Sequence, residues 1–246
     1  MRCDWFAISE QGGDPAGNQD YALVDPDGSV FIIADGMGGR PGGAQASQVA
    51  AGAFLAAVWE APADARLDPA ILRQAVARAN DAVLAMARAD PLLEGMGTTL
   101  SAVVLARARG TIIHVGDSRV YHFGRGWVQQ LTEDHTLATD LVARRYLSEE
   151  GAMRFHLRNA LSRAVGIKPT VEADLIDLAV APGEGLLLAT DGLMKVLPPQ
   201  GFLEATLAQA EGTDAQALCR MIIATALARD PDDNITAVVV RVLDGD

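Results

Sequence analysis

Basic residues are scarce: 20 Lys and Arg stand against 32 Asp and Glu, giving a formal net charge of -12. Such a surface offers phosphate backbones few cationic partners, which argues against nucleic-acid binding. It also disfavours docking on an anionic membrane. An acid excess suits cation binding, or simply solubility. Cysteine is limited to Cys3 and Cys219, far apart and outside any CxxC spacing, which leaves no thiolate metal motif and points to a reduced, cytoplasmic compartment with both as ordinary core thiols. Long apolar runs are missing, so no bilayer span and no membrane insertion is expected. The opening MRCDWFAISEQ lacks the apolar core of a signal peptide. Aromatics make up 5 % of the chain while half of it is hydrophobic, so helices are expected to pack through alanine.

What is present centres on residues 30–43, VFIIADGMGGRPGG. Val30 to Ile33 read as a buried strand. The run ends in Asp35, followed by Gly36, Gly38, Gly39, Gly42 and Gly43. An acid at the end of a buried strand is costly unless something pairs with it, and glycine lets backbone approach a ligand. A capped strand-to-helix turn would look the same, since Asp-Gly is a common turn dipeptide. The grammar recurs, however, at Asp20 after Asn18-Gln19, at Asp117 after Gly116, at Asp191 before Gly192 and at Asp233 before Asn234.

The apolar periodicity predicts a first strand over 3–9 and a hairpin of 21–24 with 30–34 around Asp25-Pro26-Asp27-Gly28. Helices follow over 44–59 and 68–89, the second opened by Asp68-Pro69. Strands over 98–106, 111–115, 119–123 and 127–131 have connections too short for crossovers and read as an antiparallel meander. Residues 139–157 suit either helix or a surface flap. Strands over 171–178 and 185–189, helices over 199–211 and 214–229, and a strand over 235–242 complete a single domain, 1–246. The order implies an α+β fold of antiparallel sheets with helices outside, not a doubly wound sheet. Strand ends converging on one edge would gather these acids, and acids gathered without cations raise one another's pKa. Oxygen ligands without His or Cys suit Mg²⁺ or Mn²⁺. Two such ions about 4 Å apart would hold and acidify a bridging water for in-line attack on phosphorus.

In order, Asn18-Gln19-Asp20, ADGMGG at 34–39, GMGTTLSAVVL at 95–105, HVGDSRVY at 114–121, LTEDHT at 131–136, NALSRAVG at 159–166, LLLATDGL at 186–193 and DDNITAVVV at 232–240 resemble the metal-dependent type 2C protein serine/threonine phosphatases, the PPM family, in their bacterial stand-alone form. The resemblance implies a four-layer α-β-β-α sandwich of two antiparallel sheets. It implies phosphorylated proteins as substrates, a cognate Ser/Thr kinase as the opposing partner, and two Mn²⁺ or Mg²⁺ ions. It implies Asp35 as the bridging ligand, Gly36 as a carbonyl ligand, Asp191 and Asp233 as carboxylates of the first metal, and Asp20 as an acid holding a water on the second. Asp117 resembles the extra ligand of a third metal, and 139–157 the flap that touches substrate, with Arg144, Arg145 and Arg154 as minor candidates for contact. The pattern S-x-x-G-x-x-R-x-x-N-x-D is kept from Ser9 to Asp20 except that Pro15 stands where Arg grips phosphate. Arg40 is a weak candidate to replace it, and Met37 occupies the position of the animal members' His, leaving the general acid unassigned. A second reading is a pseudophosphatase, a metal-loaded module that binds phosphoprotein with weak turnover. The resemblance leaves oligomeric state open. His135 in LTEDHT reads as a structural hydrogen-bonding residue, and Thr98 and Thr99 as β-formers with a local hydrogen bond.

Overall fold

Alternate residues of the central strands feed different cores, which explains apolar runs without a polar face. In β3 (Val30–Asp35), Val30 and Ile32 join one cluster, Phe31 and Ile33 another. The same split divides β9 (Gly185–Ala189) and β10 (Ile235–Leu243): Leu186, Leu188, Val238 and Val240 face one way, Leu187, Ala189, Ala237 and Val239 the other. Strands covered on both faces need no polar alternation. The structure, a computed structural model, describes residues 2–37, 42–106, 109–198, 201 and 203–243.

Two five-stranded antiparallel sheets stack face to face. One runs β1 (Arg2–Glu10), β10, β9, β6 (Arg119–Gly124), β7 (Trp127–Gln130); the other runs β2 (Asp20–Val24), β3, β4 (Leu100–Ala106), β5 (Arg109–Val115), β8 (Asp174–Ala179). Phe31, Ile33, Val103, Ile112, Leu188 and Val238 fill the space between them. Helices α1 (Gly43–Glu60) and α2 (Pro69–Ala89) bury Ala46, Ala50, Phe54, Leu72, Val76 and Val83 on the outer face of the β2–β8 sheet. Asp68 caps α2 by accepting from the Ala70 N–H at 2.8 Å, with Pro69 at the first helical position. On the opposite face lie α5 (Asp191–Val196), α6 (Glu204–Ala208) and α7 (Ala215–Leu227), with Cys219 fully buried among Leu218 and Ile222. Cys3 is only half-buried. This is the expected α-β-β-α sandwich.

Two expectations change. The strands over 98–131 are not one meander: β4 pairs β5, but β5 and β6 belong to different sheets, and β6 pairs β9. The three residues between them, Gly116 to Ser118, carry the chain across the sandwich instead of closing a hairpin. Gly116 permits this with φ +112°, and a Cβ there would lie 2.5 Å from Thr99 Cγ2. A short helix, α5, begins at Asp191 where the sequence pattern gave no helix. Residues 139–157 form two short helices, α3 (Leu137–Ala143) and α4 (Glu149–Arg154), capped by the Thr136 and Ser148 hydroxyls.

Candidate active site

The edge of the sandwich collects the strand-end acids. Asp20 and Asp35 face each other as register partners of β2 and β3. Asp35, Asp117, Asp191 and Asp233 line one cavity of about 540 Å³, together with Met37, Thr99, Lys168 and Lys195.

Each acid is fixed by long-range hydrogen bonds. The Asp35 N–H donates to Thr99 Oγ1 at 2.9 Å, and its carbonyl accepts from the Thr99 N–H and Thr98 Oγ1, both at 2.9 Å. Thr99 in turn meets Ser118 Oγ at 2.8 Å. The two threonines, which lead into β4, thus lock Asp35 from some sixty residues away; the local hydrogen bond expected for them, Thr98 Oγ1 to the Thr99 carbonyl, is joined by tertiary ones. Gly36 donates to the Gln19 carbonyl at 3.1 Å. A Cβ at Gly36 would sit 2.2 Å from the Gly43 carbonyl oxygen and 2.8 Å from that of Gln19, so only glycine fits between these backbones.

Asp20 is 7 % exposed. Its Oδ2 accepts from Thr190 Oγ1 at 2.8 Å, whereas Oδ1 is buried without a hydrogen-bond partner. Asn234 ties the loop ahead of Asp20 to the loop carrying Asp233. Its Oδ1 accepts from the Gln19 N–H at 2.8 Å, and its Nδ2 donates to the carbonyls of Gln11 and Gly17 at 2.8 and 3.2 Å. Asp117 follows Gly116, which donates to His135 Nδ1 at 3.1 Å and accepts the His135 N–H at 2.8 Å. With Nδ1 accepting, His135 Nε2 donates to Asp174 Oδ2 at 3.1 Å. His135 is therefore a hydrogen-bonding residue of the framework, as its motif suggested, and His114 stacks beside it with ring centroids 4.6 Å apart.

The electrostatics are strained. Burial, then the charges of Asp20, Asp191, Asp117 and Asp233, hold the Asp35 carboxyl well above the usual carboxylate range. Burial pushes Asp20 up to about 6, opposed by the Thr236 and Thr190 hydroxyls and reinforced by Asp191 and Asp233. Burial and Asp191 push Asp117 up to about 7. Burial and His135 push His114 down to about 4, so it is neutral at physiological pH. Lys195 is the cation among these acids: its Nζ donates to Asp191 Oδ2 at 2.8 Å and Asp233 Oδ2 at 2.5 Å. Burial works against that ammonium, but Asp191 and Asp233 outweigh it and lift its pKa.

Do these residues fit divalent cations? Among the described residues, no three His, Cys, Asp or Glu side chains close into a ready-made cage. Lys195 stands between two of the acids instead. The chemistry nevertheless fits: the donors are carboxylate and carbonyl oxygens, hard ligands suited to Mg²⁺ or Mn²⁺. A bound cation would relieve both the unpartnered Asp20 Oδ1 and the carboxyls of Asp20, Asp35 and Asp117, which are raised by burial and then by neighbouring acids.

Sequence reasoning missed Lys195, Thr190 and Asn159, of which Lys195 and Asn159 line the cavity and Thr190 bonds Asp20. Lys195 was legible in principle, four residues past Asp191 on one helix face. Arg40 lies outside the described residues. Just past the flap segment, Arg158 lines a further cavity of about 300 Å³ with Met153, Asp134 and Asp117; Arg144, Arg145 and Arg154 within the flap are exposed, as is Arg158.

Known proteins carry the same plan. The sequence profile described as Protein phosphatase 2C matches residues 12–228. A protein named serine/threonine phosphatase stp from Listeria welshimeri is 33 % identical over 218 residues, covering 86 % of this chain and 84 % of that protein. The crystal structure of the Mycobacterium tuberculosis serine/threonine phosphatase PstP/Ppp superposes with a TM-score of 0.87 at 30 % identity, covering 99 % of this chain and 100 % of that one. The catalytic domain of PstP in complex with two manganese ions superposes with a TM-score of 0.83 at 31 % identity, covering 98 % of this chain and 99 % of that one. With the profile spanning most of the chain and the sandwich matched end to end, this protein belongs to the protein phosphatase 2C family.

Proposed function

We propose that the chain is a metal-dependent protein serine/threonine phosphatase that hydrolyses phosphoserine and phosphothreonine in cytoplasmic proteins and opposes a Ser/Thr kinase. Residues 1–246 act as one catalytic domain. The observation that carries the reading is the gathering of Asp35, Asp117, Asp191 and Asp233 on one cavity, with Asp20 paired opposite Asp35, and with burial and neighbouring acids raising the carboxyls of Asp20, Asp35 and Asp117. Asp35 would be shared by two ions, Asp191 and Asp233 would serve the first with the Gly36 carbonyl completing a shell, and Asp20 would hold a water on the second. Asp117 would serve a third. Bound there, Mn²⁺ or Mg²⁺ would supply an acidified water as nucleophile and neutralise charge on the phosphoryl oxygens.

The protein's own part is positioning. Thr98 and Thr99 hold Asp35, Thr190 turns Asp20, and Asn234 fixes the loops bearing Asp20 and Asp233, so that the acids need not reorganise as charge develops. Met37 lines the cavity and offers no proton, so it does not serve as the general acid. The pseudophosphatase alternative is not favoured: it rests on Pro15 alone, and every acid position is filled.

The test is hydrolysis of p-nitrophenyl phosphate and of a phosphothreonine peptide with and without Mn²⁺. Activity should require the ion and vanish in the Asp35→Asn, Asp191→Asn double variant. Undiminished activity in that variant would defeat the reading. Comparing phosphoproteomes with and without the protein identifies its substrates and the kinase it opposes.

A further inference from the structure

The chain contains only two lysines, Lys168 and Lys195, and both line the cavity of the site aspartates. Among the described arginines nearby, two are already engaged, and the exposed Arg158 lines the adjoining cavity and not the one that holds Asp35 and Asp233. Arg119 forks Asp134, with Nε and Nη2 at 2.8 and 2.7 Å from the two carboxylate oxygens. Arg163 Nη1 holds Asp174 at 2.7 Å. Position 15, where the family pattern carries the phosphate-gripping Arg, is an exposed Pro.

Lys195 differs from an ordinary surface helix pair. One of its partners, Asp191, lies four residues back on α5, but the other, Asp233, comes from the loop before β10, 38 positions away. The ammonium is therefore held at the junction of two elements, facing the cavity. Lys168 is exposed, and its backbone carbonyl is held by Asn80 Nδ2 at 3.0 Å.

We propose that Lys195 binds the phosphate of the substrate, in place of the guanidinium that the family pattern puts at position 15. This inference rests on the phosphatase reading above. If Asp191 and Asp233 serve divalent cations, their negative charge is shared with those ions and Lys195 loses most of its anionic partnership. A cation left beside metal ions is repelled unless an anion stands between, and the incoming phosphate dianion is that anion. An ammonium acts on phosphate as a point charge and needs no fork geometry. A single lysine reaching from α5 would thus restore the charge that Pro15 removes.

The experiment compares Mn²⁺-loaded wild type with Lys195→Ala, Lys195→Gln, Lys195→Arg and Lys168→Ala. Calorimetry reads the Kd of inorganic phosphate and of Mn²⁺, and steady-state kinetics read kcat and KM for p-nitrophenyl phosphate. Lys195→Ala and Lys195→Gln should weaken phosphate binding and raise KM about 10- to 100-fold, the scale of a charge-assisted hydrogen bond. The fall in kcat should be smaller, and Mn²⁺ should bind at least as tightly as in wild type. Lys195→Arg should keep most of the phosphate affinity, and Lys168→Ala should stay within about twofold. Phosphate affinity within about twofold of wild type in both neutral variants would overturn the assignment, as would a loss carried by Lys168→Ala or a parallel loss of Mn²⁺ affinity. A wild type lacking Mn²⁺-dependent hydrolysis would overturn the phosphatase reading instead, and no Lys195 variant enters that result.

Discussion

Replacing Asn234 by Ala should be among the costliest single changes near the site, although Asn234 is not one of the acids. Its side chain is 3 % exposed and makes three hydrogen bonds to backbone on two other segments. The Gln19 N–H has Asn234 Oδ1 as its acceptor at 2.8 Å, and Gln19 is itself 6 % exposed. Removing that acceptor strands a buried donor, at a cost of about 1–3 kcal/mol. Losing the bonds to the Gln11 and Gly17 carbonyls adds about 1 kcal/mol more, since water can reach that exposed loop. The total is about 2–4 kcal/mol, which for a chain of this length lowers Tm by roughly 5–15 °C. Because Asn234 joins the neighbours of Asp20 and Asp233, the variant should also need more Mn²⁺ for half-maximal activity. Asn234→Asp sharpens the test. It keeps the acceptor for Gln19 but turns a second oxygen toward two carbonyls and adds charge to an acid cluster. It should be as unstable as the alanine variant at pH 8 and recover at pH 5, where a protonated carboxyl can donate. Thermal unfolding followed by circular dichroism, in chelator and in Mn²⁺, reads both. A Tm for Asn234→Ala within about 2 °C of wild type, less than 1 kcal/mol at this size, would refute the reasoning.

Metal-free protein should lose stability as pH rises from 6.5 to 8. Asp117 is lifted to about 7 and Asp35 well above its usual range, so the fold holds these protons more tightly than the unfolded chain; that advantage is present at low pH and lost as pH rises through the folded values. His114, depressed to about 4, works the other way while the unfolded imidazole sheds its proton around its ordinary value of about 6.5, so it opposes the trend at the lower end of this window and is spent above it. Calorimetric scans in chelator check the sign, and Asp117→Asn should flatten the slope. Gly36→Ala forces a Cβ to 2.2 Å from one carbonyl oxygen and 2.8 Å from another, both backbone, and should give insoluble or unfolded protein; a soluble variant with wild-type Tm would contradict the packing. Pro15→Arg should lower KM for p-nitrophenyl phosphate several-fold, and an unchanged KM would show that position 15 does not reach the phosphate here.

Local sequence determined most of the sandwich and the identity of its acids. Val30 to Ile33, Leu186 to Leu188 and Val238 to Val240 are apolar at every position because both faces of each strand are covered, and unbroken apolarity is visible without a structure. An aspartate ending such a run beside glycine is equally visible, since burying it without a partner is unfavourable anywhere. Tertiary structure alone decided which strands share a sheet after Gly116, that α5 starts at Asp191, and what steadies each acid. The Asp35 N–H finds Thr99 64 positions away, Gln19 finds Asn234 at a separation of 215, and Lys195 reaches Asp233 across 38. Periodicity reports neighbours within a turn or a pleat, whereas a hydrogen bond depends on which segments the packed sheets bring to one edge. That register is set by the whole core at once.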